Sequence, residues 1–410
     1  MAPKRAIRGN VVGPHTQLED RPHVDPGMDK RKGEGSSRIE YQPGFAYLPV
    51  GPVEATVDWV NRRAPQVLKN AIGRAGEQAN APFAFFRTHN TYSASPKPGR
   101  DAVLCIPLWA VPNSGGGHGR SVRLMGNFSF GTPSGEKLAS LDIKGVGPSA
   151  LKRGPRHEND FSDTGTYDLR LARRDRDYAL KFLRQGARVA LPVGIIKLRQ
   201  VYDKGGRISM DEAKKRGLVS PIREPVLYLR GVESSLRLND AEHADMRAYF
   251  YAHRKERGWR TMTDYGAWLA SEAAKSLAII RNSGLDFQWP HSQNFTIAGE
   301  ILDFDSVMKP EKTNQYTFDG KLKFMLSEII HNTSIPYSPD RPGDWKKYQR
   351  HENRIRSAFV KSYAATRTRG GWEKDLTGGI RPFIASHAVD YAPQTIPKGL
   401  REKVRNRFYH

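Results

Sequence analysis

An asparagine and an aspartate bracket a short apolar run in this chain. His291-Ser292-Gln293-Asn294 leads into residues 295–302, and Asp303 follows in Leu302-Asp303-Phe304-Asp305. If the run folds back as a hairpin, a carboxamide oxygen and a carboxylate come together at its open end. Both are hard oxygen ligands of the kind that hold magnesium beside a nucleotide triphosphate. The spacing is common by chance, so its meaning depends on the rest of the chain. His291 offers an imidazole that titrates near neutrality and is a candidate base. It follows Pro290 in a loop, where a structural histidine is as good a reading, and Asp286 and Asp305 are other candidates.

Phosphate needs cations and closely approaching backbone. Gly115-Gly116-Gly117-His118-Gly119-Arg120 precedes a strand candidate, Ser121 to Met125. Gly117 and Gly119 would let N–H groups approach phosphate oxygens, and Arg120 would add charge. A flexible hairpin turn is the plainer alternative. In Leu141-Asp142-Ile143-Lys144 the strand alternation turns Asp142 and Lys144 away from the apolar face. Lys144 is a candidate phosphate contact, or an ordinary exposed lysine. Asp177, on a helical stretch after Arg176, could pair with Lys144 or be a solvated helix charge. Arg230 ends the apolar strand Val226-Leu227-Tyr228-Leu229, which predicts a partly buried arginine with an anionic partner. Together with Arg237 it could clamp a triphosphate, or the two could form structural ion pairs with Glu233 or Asp240.

The elements that would position these residues fall in two halves. Residues 1–42 are polar, charged and rich in Pro and Gly, and read as a basic disordered head. Residues 43–237 read mainly as strands, among them 102–107, 121–125 and 138–144, with one long helix from Tyr167 to about Arg188. Residues 238–410 read as helical, with candidates at 241–257, 265–281, 322–331 and 345–366. In the second of these, Trp268, Leu269, Ala273, Leu277 and Ile280 recur at helical spacing. The expected fold class is α+β, in the two-lobed, protein-kinase-like outline of a strand-rich first lobe and a helical second lobe.

The chain has 410 residues, 38% of them hydrophobic, and a net charge of +23. Such a charge attracts phosphate, whether in nucleotide, nucleic acid or an anionic surface. It is spread among the head, the middle (Arg170, Arg173, Arg174, Arg176) and the end (Lys346, Lys347, Arg350, Arg354, Arg356), without a recognisable basic-aromatic module. A generally basic soluble surface explains it equally well. The single cysteine, Cys105, excludes an internal disulfide and a multi-cysteine zinc site. No apolar run is long enough to span a bilayer, so no membrane role is expected, and a reducing cytoplasm fits best.

In order and content these segments resemble the selenoprotein O family of protein-kinase-fold AMP transferases. Gly117-His118-Gly119-Arg120-Ser121 is similar to that family's G-D-G-R-A segment. Ile143-Lys144-Gly145-Val146-Gly147 matches its L-K-G-x-G strand end, and Arg176-Asp177-Tyr178-Ala179 its R-E-F-L helix. Val226 to Arg237 resembles its V-L-x-R-V-x-x-S-x-x-R pattern, with the same arginine separation. Ser292 to Asp305 resembles T-D-N-M-S-I-x-G-x-x-I-D-Y-G. The resemblance covers residues 115–305. It implies ATP held between two lobes in a reversed orientation, so that AMP is transferred to Ser, Thr or Tyr hydroxyls of protein substrates. It also implies Lys144 and Asp177 as an ion pair, Arg230 and Arg237 as phosphate contacts, and Asn294 and Asp303 as ligands of Mg2+ or Mn2+.

The departures bear on catalysis. Gln293 replaces the acid before the metal-binding asparagine, and an amide cannot act as a general base. Asp305 replaces a glycine, and His118 an acid. The leading expectation is an ATP- and magnesium-dependent protein adenylyltransferase. A nucleotide-binding pseudokinase scaffold is one rival, favoured by Gln293. The other is a nucleic-acid-binding protein that works through its basic head and tail.

Overall fold

The computed structural model describes residues 45–64, 85–87, 103–107, 121–131, 137–145, 166–203, 206–234, 236–239, 241–313, 315–334 and 344–368. These residues form a mixed α+β protein of two compact units. One takes in the chain up to Arg176 together with Leu191–Ser235, and the other takes in Asp177–Ala190 together with the chain from Leu236. The second unit thus begins two residues before the expected boundary, and it claims a segment expected in the first half. Residues 1–42 lie outside the described residues.

The first unit is built on an antiparallel sheet. Its strands are β1 (Phe45–Pro52), β2 (Ala55–Val60), β3 (Phe85–Arg87), β4 (Val103–Pro107), β5 (Ser121–Gly131), β6 (Lys137–Lys144), β7 (Tyr167–Asp168), β8 (Leu191–Leu198) and β11 (Pro225–Val232). A small hairpin, β9 (Gln200–Asp203) with β10 (Gly206–Ser209), leads into helix α2 (Met210–Lys215). The sheet order is β2-β8-β11-β6-β5-β4-β1-β3, and β7 pairs with β11 beyond β6. Strand β11 is buried along its whole length, as a central strand covered on both faces should be. It lies between β6 and β8, so its register decides which side chains meet those of the lysine strand.

Helix α1 (Leu169–Arg184) follows β7. Its buried positions Ala172, Asp175, Ala179 and Phe182 recur at helical spacing. The sequence placed the helix start at Tyr167. That residue is instead in an extended pair with Val226, and Asp168 accepts from the Arg170 N–H at 2.9 Å. Gly145 ends the lysine strand with φ of 98°, and a Cβ there would lie 2.2 Å from the Val226 carbonyl oxygen. Only glycine can turn the chain this close to β11.

The second unit contains α3 (His243–Arg257), α4 (Met262–Asn282), α5 (Gln315–Thr333) and α6 (Asp344–Thr366). The short strands β12 (Asp286–Phe287) and β13 (Val307–Met308) pair antiparallel. Thr261 and Asp264 close a reciprocal cap on the start of α4. The expected apolar stripe of that helix is buried at Leu269, Ala273, Leu277 and Ile280. At Gly266 the helices approach so closely that a Cβ would sit 2.6 Å from Thr333 Oγ1 and 2.8 Å from Ile355 Cδ1. Buried His351 ties the same three helices: Nδ1 lies 2.8 Å from Thr263 Oγ1, and Nε2 lies 3.1 Å from the Ile330 carbonyl oxygen. Among the described residues, no helix is long and apolar enough to cross a membrane.

Candidate functional site

In the first unit, the register of β6 against β11 sets Lys144 opposite Tyr228 and Asp142 opposite Arg230. Residues two apart on a strand share a face, so these four side chains fall on one side of the sheet. Arg230 is 1% exposed and Lys144 2%. The Arg230 guanidinium donates to Asp142 through Nε, at 2.9 Å, and also through Nη2. Its Nη1 lies 4.0 Å from Asp175 Oδ2 on α1. Tyr167 Oη donates to the same Asp175 oxygen at 3.3 Å. The Lys144 ammonium lies 4.2 Å from the centre of the Tyr167 ring, which stacks on Tyr228 at 6.1 Å. Two cations and two carboxylates are thus enclosed together with two tyrosines.

This arrangement differs from the expectation on two points. The face of β6 that carries Asp142 and Lys144 is covered, so Lys144 is no exposed-strand lysine. The helix acid turned inward is Asp175, which is fully buried, whereas Asp177 is on the exposed side of α1. Two residues along a helix rotate a side chain by about 200°, so both acids cannot share a face. Asp175 lies four residues after Leu171 and seven before Phe182, within the helix's own apolar stripe, and that spacing was the signal to follow. Arg230 has the anionic partner expected of it in Asp142, across the strand pair, and Asp240 lies outside the described residues.

In the second unit the apolar run after Asn294 does fold back. Phe295 bridges Ile301, and the Leu302 N–H donates to the Asn294 carbonyl at 3.0 Å. The turn at Thr296–Glu300 is closed by Thr296 Oγ1, which accepts from the Ala298 and Glu300 N–H groups, and by Gly299 at φ of 77°. Arg237 bridges Thr296, and this places it beside the hairpin that carries Asn294 and Asp303. Asn294 is buried, and its amide donates to the Trp289 carbonyl at 3.1 Å. Asp303 and Asp305 are half-buried. Asp286 is buried and bonded to Arg281, so it is committed to an internal ion pair.

His291 caps the single turn Ser292–Asn294: its Nδ1 accepts the Gln293 N–H at 3.1 Å. A neutral ring that accepts at Nδ1 carries its proton on Nε2, so neither nitrogen has a lone pair left for a substrate proton. The cap therefore works against His291 as a substitute base. Gly117, Gly119 and Arg120 lie outside the described residues. Lys144 and Arg230 belong to the first unit, and Asp177, Arg237, His291, Asn294 and Asp303 to the second.

No family model matches the chain, and no curated protein matches it significantly. Among the described residues no three His, Cys, Asp or Glu side chains converge as an all-protein metal cage. Magnesium beside a nucleotide does not require one, because one or two protein oxygens suffice when phosphates and water complete the shell. The bond from Asn294 Nδ2 to the Trp289 carbonyl fixes the amide and leaves Oδ1 as its acceptor atom. Asn294 Oδ1 and the half-buried Asp303 carboxylate are oxygen atoms of the kind that magnesium takes.

Proposed function

We propose that the chain binds magnesium–ATP on a two-lobed, kinase-like fold of the selenoprotein O type and transfers AMP to a protein hydroxyl. The observation that carries this reading is the lysine strand: Lys144 is buried beside Arg230, and the helix that follows turns the carboxylate of Asp175 to the same cluster. Kinase-fold enzymes hold their phosphate-binding lysine with a helix-borne acid in this way. Here Asp175 takes the part that the resemblance gave to Asp177.

In the proposed reaction the acceptor oxygen forms a bond to the α-phosphorus of ATP. The bond from that phosphorus to the bridging oxygen breaks, pyrophosphate leaves, and the hydroxyl proton passes to solvent or to a nearby carboxylate such as Asp305. Arg237, bridged to the hairpin at Thr296, serves as a cation toward phosphate, while Lys144 and Arg230 stay enclosed with their carboxylates in the first unit. Asn294 and Asp303 hold the metal, which neutralises charge on the phosphates when bound.

A second reading is a nucleotide-binding scaffold without turnover. It is supported by Gln293, which cannot take a proton, and by the cap that occupies Nδ1 of His291. Incubation with Mg2+ or Mn2+ and ATP labelled separately on the α- and γ-phosphates, beside Asp303→Ala, separates the readings. Covalent α-label that disappears in the variant is the expected result. γ-Label alone would make the protein a conventional kinase. ATP binding without label would select the scaffold, and absence of ATP binding would end both readings.

A further inference from the structure

Helix α3 turns Asp245, Met246, Tyr249 and Phe250 inward. Its outer side centres on Tyr251, which is 53% exposed. Side chains on a helix lean toward its N-terminus, so Tyr251 overlies the turn of Arg247, and Arg254 overlies Tyr251. The distances follow this rule: Arg247 Cζ is 5.8 Å from the centre of the Tyr251 ring, and Arg254 Cζ is 5.1 Å from it. Guanidinium, phenol and guanidinium thus form one continuous row. Lys255 is exposed on the other side of Tyr251 from the two arginines, and the four residues span about 12 Å of helix. Ala244 and Ala248, exposed on the same side, are too short to cover the ring.

Of the two acids in α3, Asp245 is buried and Glu256 stands about 140° round the helix from Tyr251. Among the described residues Arg247, Arg254 and Lys255 have no salt-bridge partner. The cations of α6 differ in this respect, since Asp344 pairs with Lys347 at 3.0 Å and Asp264 pairs with Arg354. Unpaired bases stack on tyrosine rings and guanidinium planes, while guanidinium N–H groups fork onto phosphate oxygens. A duplex hides its base faces and could use only the charge. A membrane surface would need several large apolar side chains here, and on this side of α3 Tyr251 is the only large ring.

We propose that the outer face of α3 binds single-stranded nucleic acid, with a base stacked against the Tyr251–arginine row and phosphates held by Arg247, Arg254 and Lys255. The surface needs no ATP or metal, so it stands or falls independently of AMP transfer.

The test is fluorescence anisotropy of the full chain with labelled 20-mer oligo-dT and oligo-U, without ATP, across a salt series. Tyr251→Ala should weaken binding about tenfold, and Tyr251→Phe, which keeps the ring, should bind as the unaltered chain does. Arg247→Ala with Arg254→Ala should weaken binding and lower the salt slope by about 1.4, at about 0.7 per lost charge on a single strand. The same two-charge loss on α6, Lys346→Ala with Arg350→Ala, should leave affinity and slope nearly unchanged. All of these positions are exposed, and unchanged thermal unfolding checks that each variant is folded. Equal losses from the α3 and α6 pairs would overturn the proposal by making the attraction general. Binding to a duplex as tight as to a single strand would do the same. So would displacement by polyglutamate as effective as by unlabelled oligonucleotide, or no oligonucleotide binding at all.

Discussion

On the sheet, Lys144, Arg230, Asp142 and Asp175 are enclosed, and Arg230 pairs with carboxylates of the same unit. On the hairpin, Asn294 is fixed through its own amide while Asp303 and Asp305 stay half-buried within reach of solvent. The first arrangement excludes water, so removing a partner leaves a stranded charge. The second keeps the carboxylates of Asp303 and Asp305 near solvent, where a hydrated ion can reach them. Residues of similar chemistry thus take up different work according to whether an element covers them. Substitutions in the first region should cost the most stability, and those in the second should weigh most on the metal-dependent binding proposed above.

The sharpest way to break this contrast is to truncate one residue in each region. Arg230→Ala should cost about 3–5 kcal/mol in urea unfolding, because two buried carboxylates lose their counter-ion. Asp303→Ala should cost about 1 kcal/mol or less, yet abolish magnesium-dependent ATP binding measured by calorimetry. Equal stability losses would mean that the hairpin is as structural as the cluster.

Gly145→Ala sharpens the enclosed side of the comparison. The positive φ and the approach to the Val226 carbonyl together predict a loss of about 2–3 kcal/mol. A near-neutral result in the same unfolding assay would show that the end of the lysine strand can move away from β11.

Acid should divide the two units by a smaller amount. Burial holds the imidazoles of His243 and His351, both in the helical unit, below their ordinary range. Each is favoured neutral when folded, while the unfolded chain takes up protons once pH falls below about 6.5. Their contribution is therefore complete above that pH and is lost as pH falls through it toward the depressed folded values. Hydrogen exchange at pH 7.5 and pH 5.5 should show α4 to α6 losing protection before β6 and β11. Uniform loss in both units would remove this distinction.

Helix positions were largely legible because apolar spacing survives in the sequence. The candidates 241–257, 265–281 and 345–366 fall within a few residues of α3, α4 and α6. The hairpin after Asn294 was legible for a related reason, as polar ends flank an apolar turn. Partner choice was harder to read. The Arg230–Asp142 pair depends on strand register across 88 residues of sequence, which no local pattern encodes. Asp175 could have been found by counting helical turns, whereas Asp177 was singled out by the match of Arg176-Asp177-Tyr178-Ala179 to R-E-F-L. The cap on His291 depends on a single backbone N–H, and composition cannot reveal it.

The hairpin of Asn294 is clasped on both edges by chain that arrives from far away. Leu236 and Leu238 exchange backbone bonds with Ile297 and Phe295, while Arg188 and Ala190 do so with Ile301. The Arg188 side chain reaches Ala298 across 110 residues of sequence. Closing such loops costs entropy before any contact rewards it, so pairings of this kind form late in folding. The hairpin that carries Asn294 and Asp303 is therefore expected among the last parts of the second unit to be fixed in place.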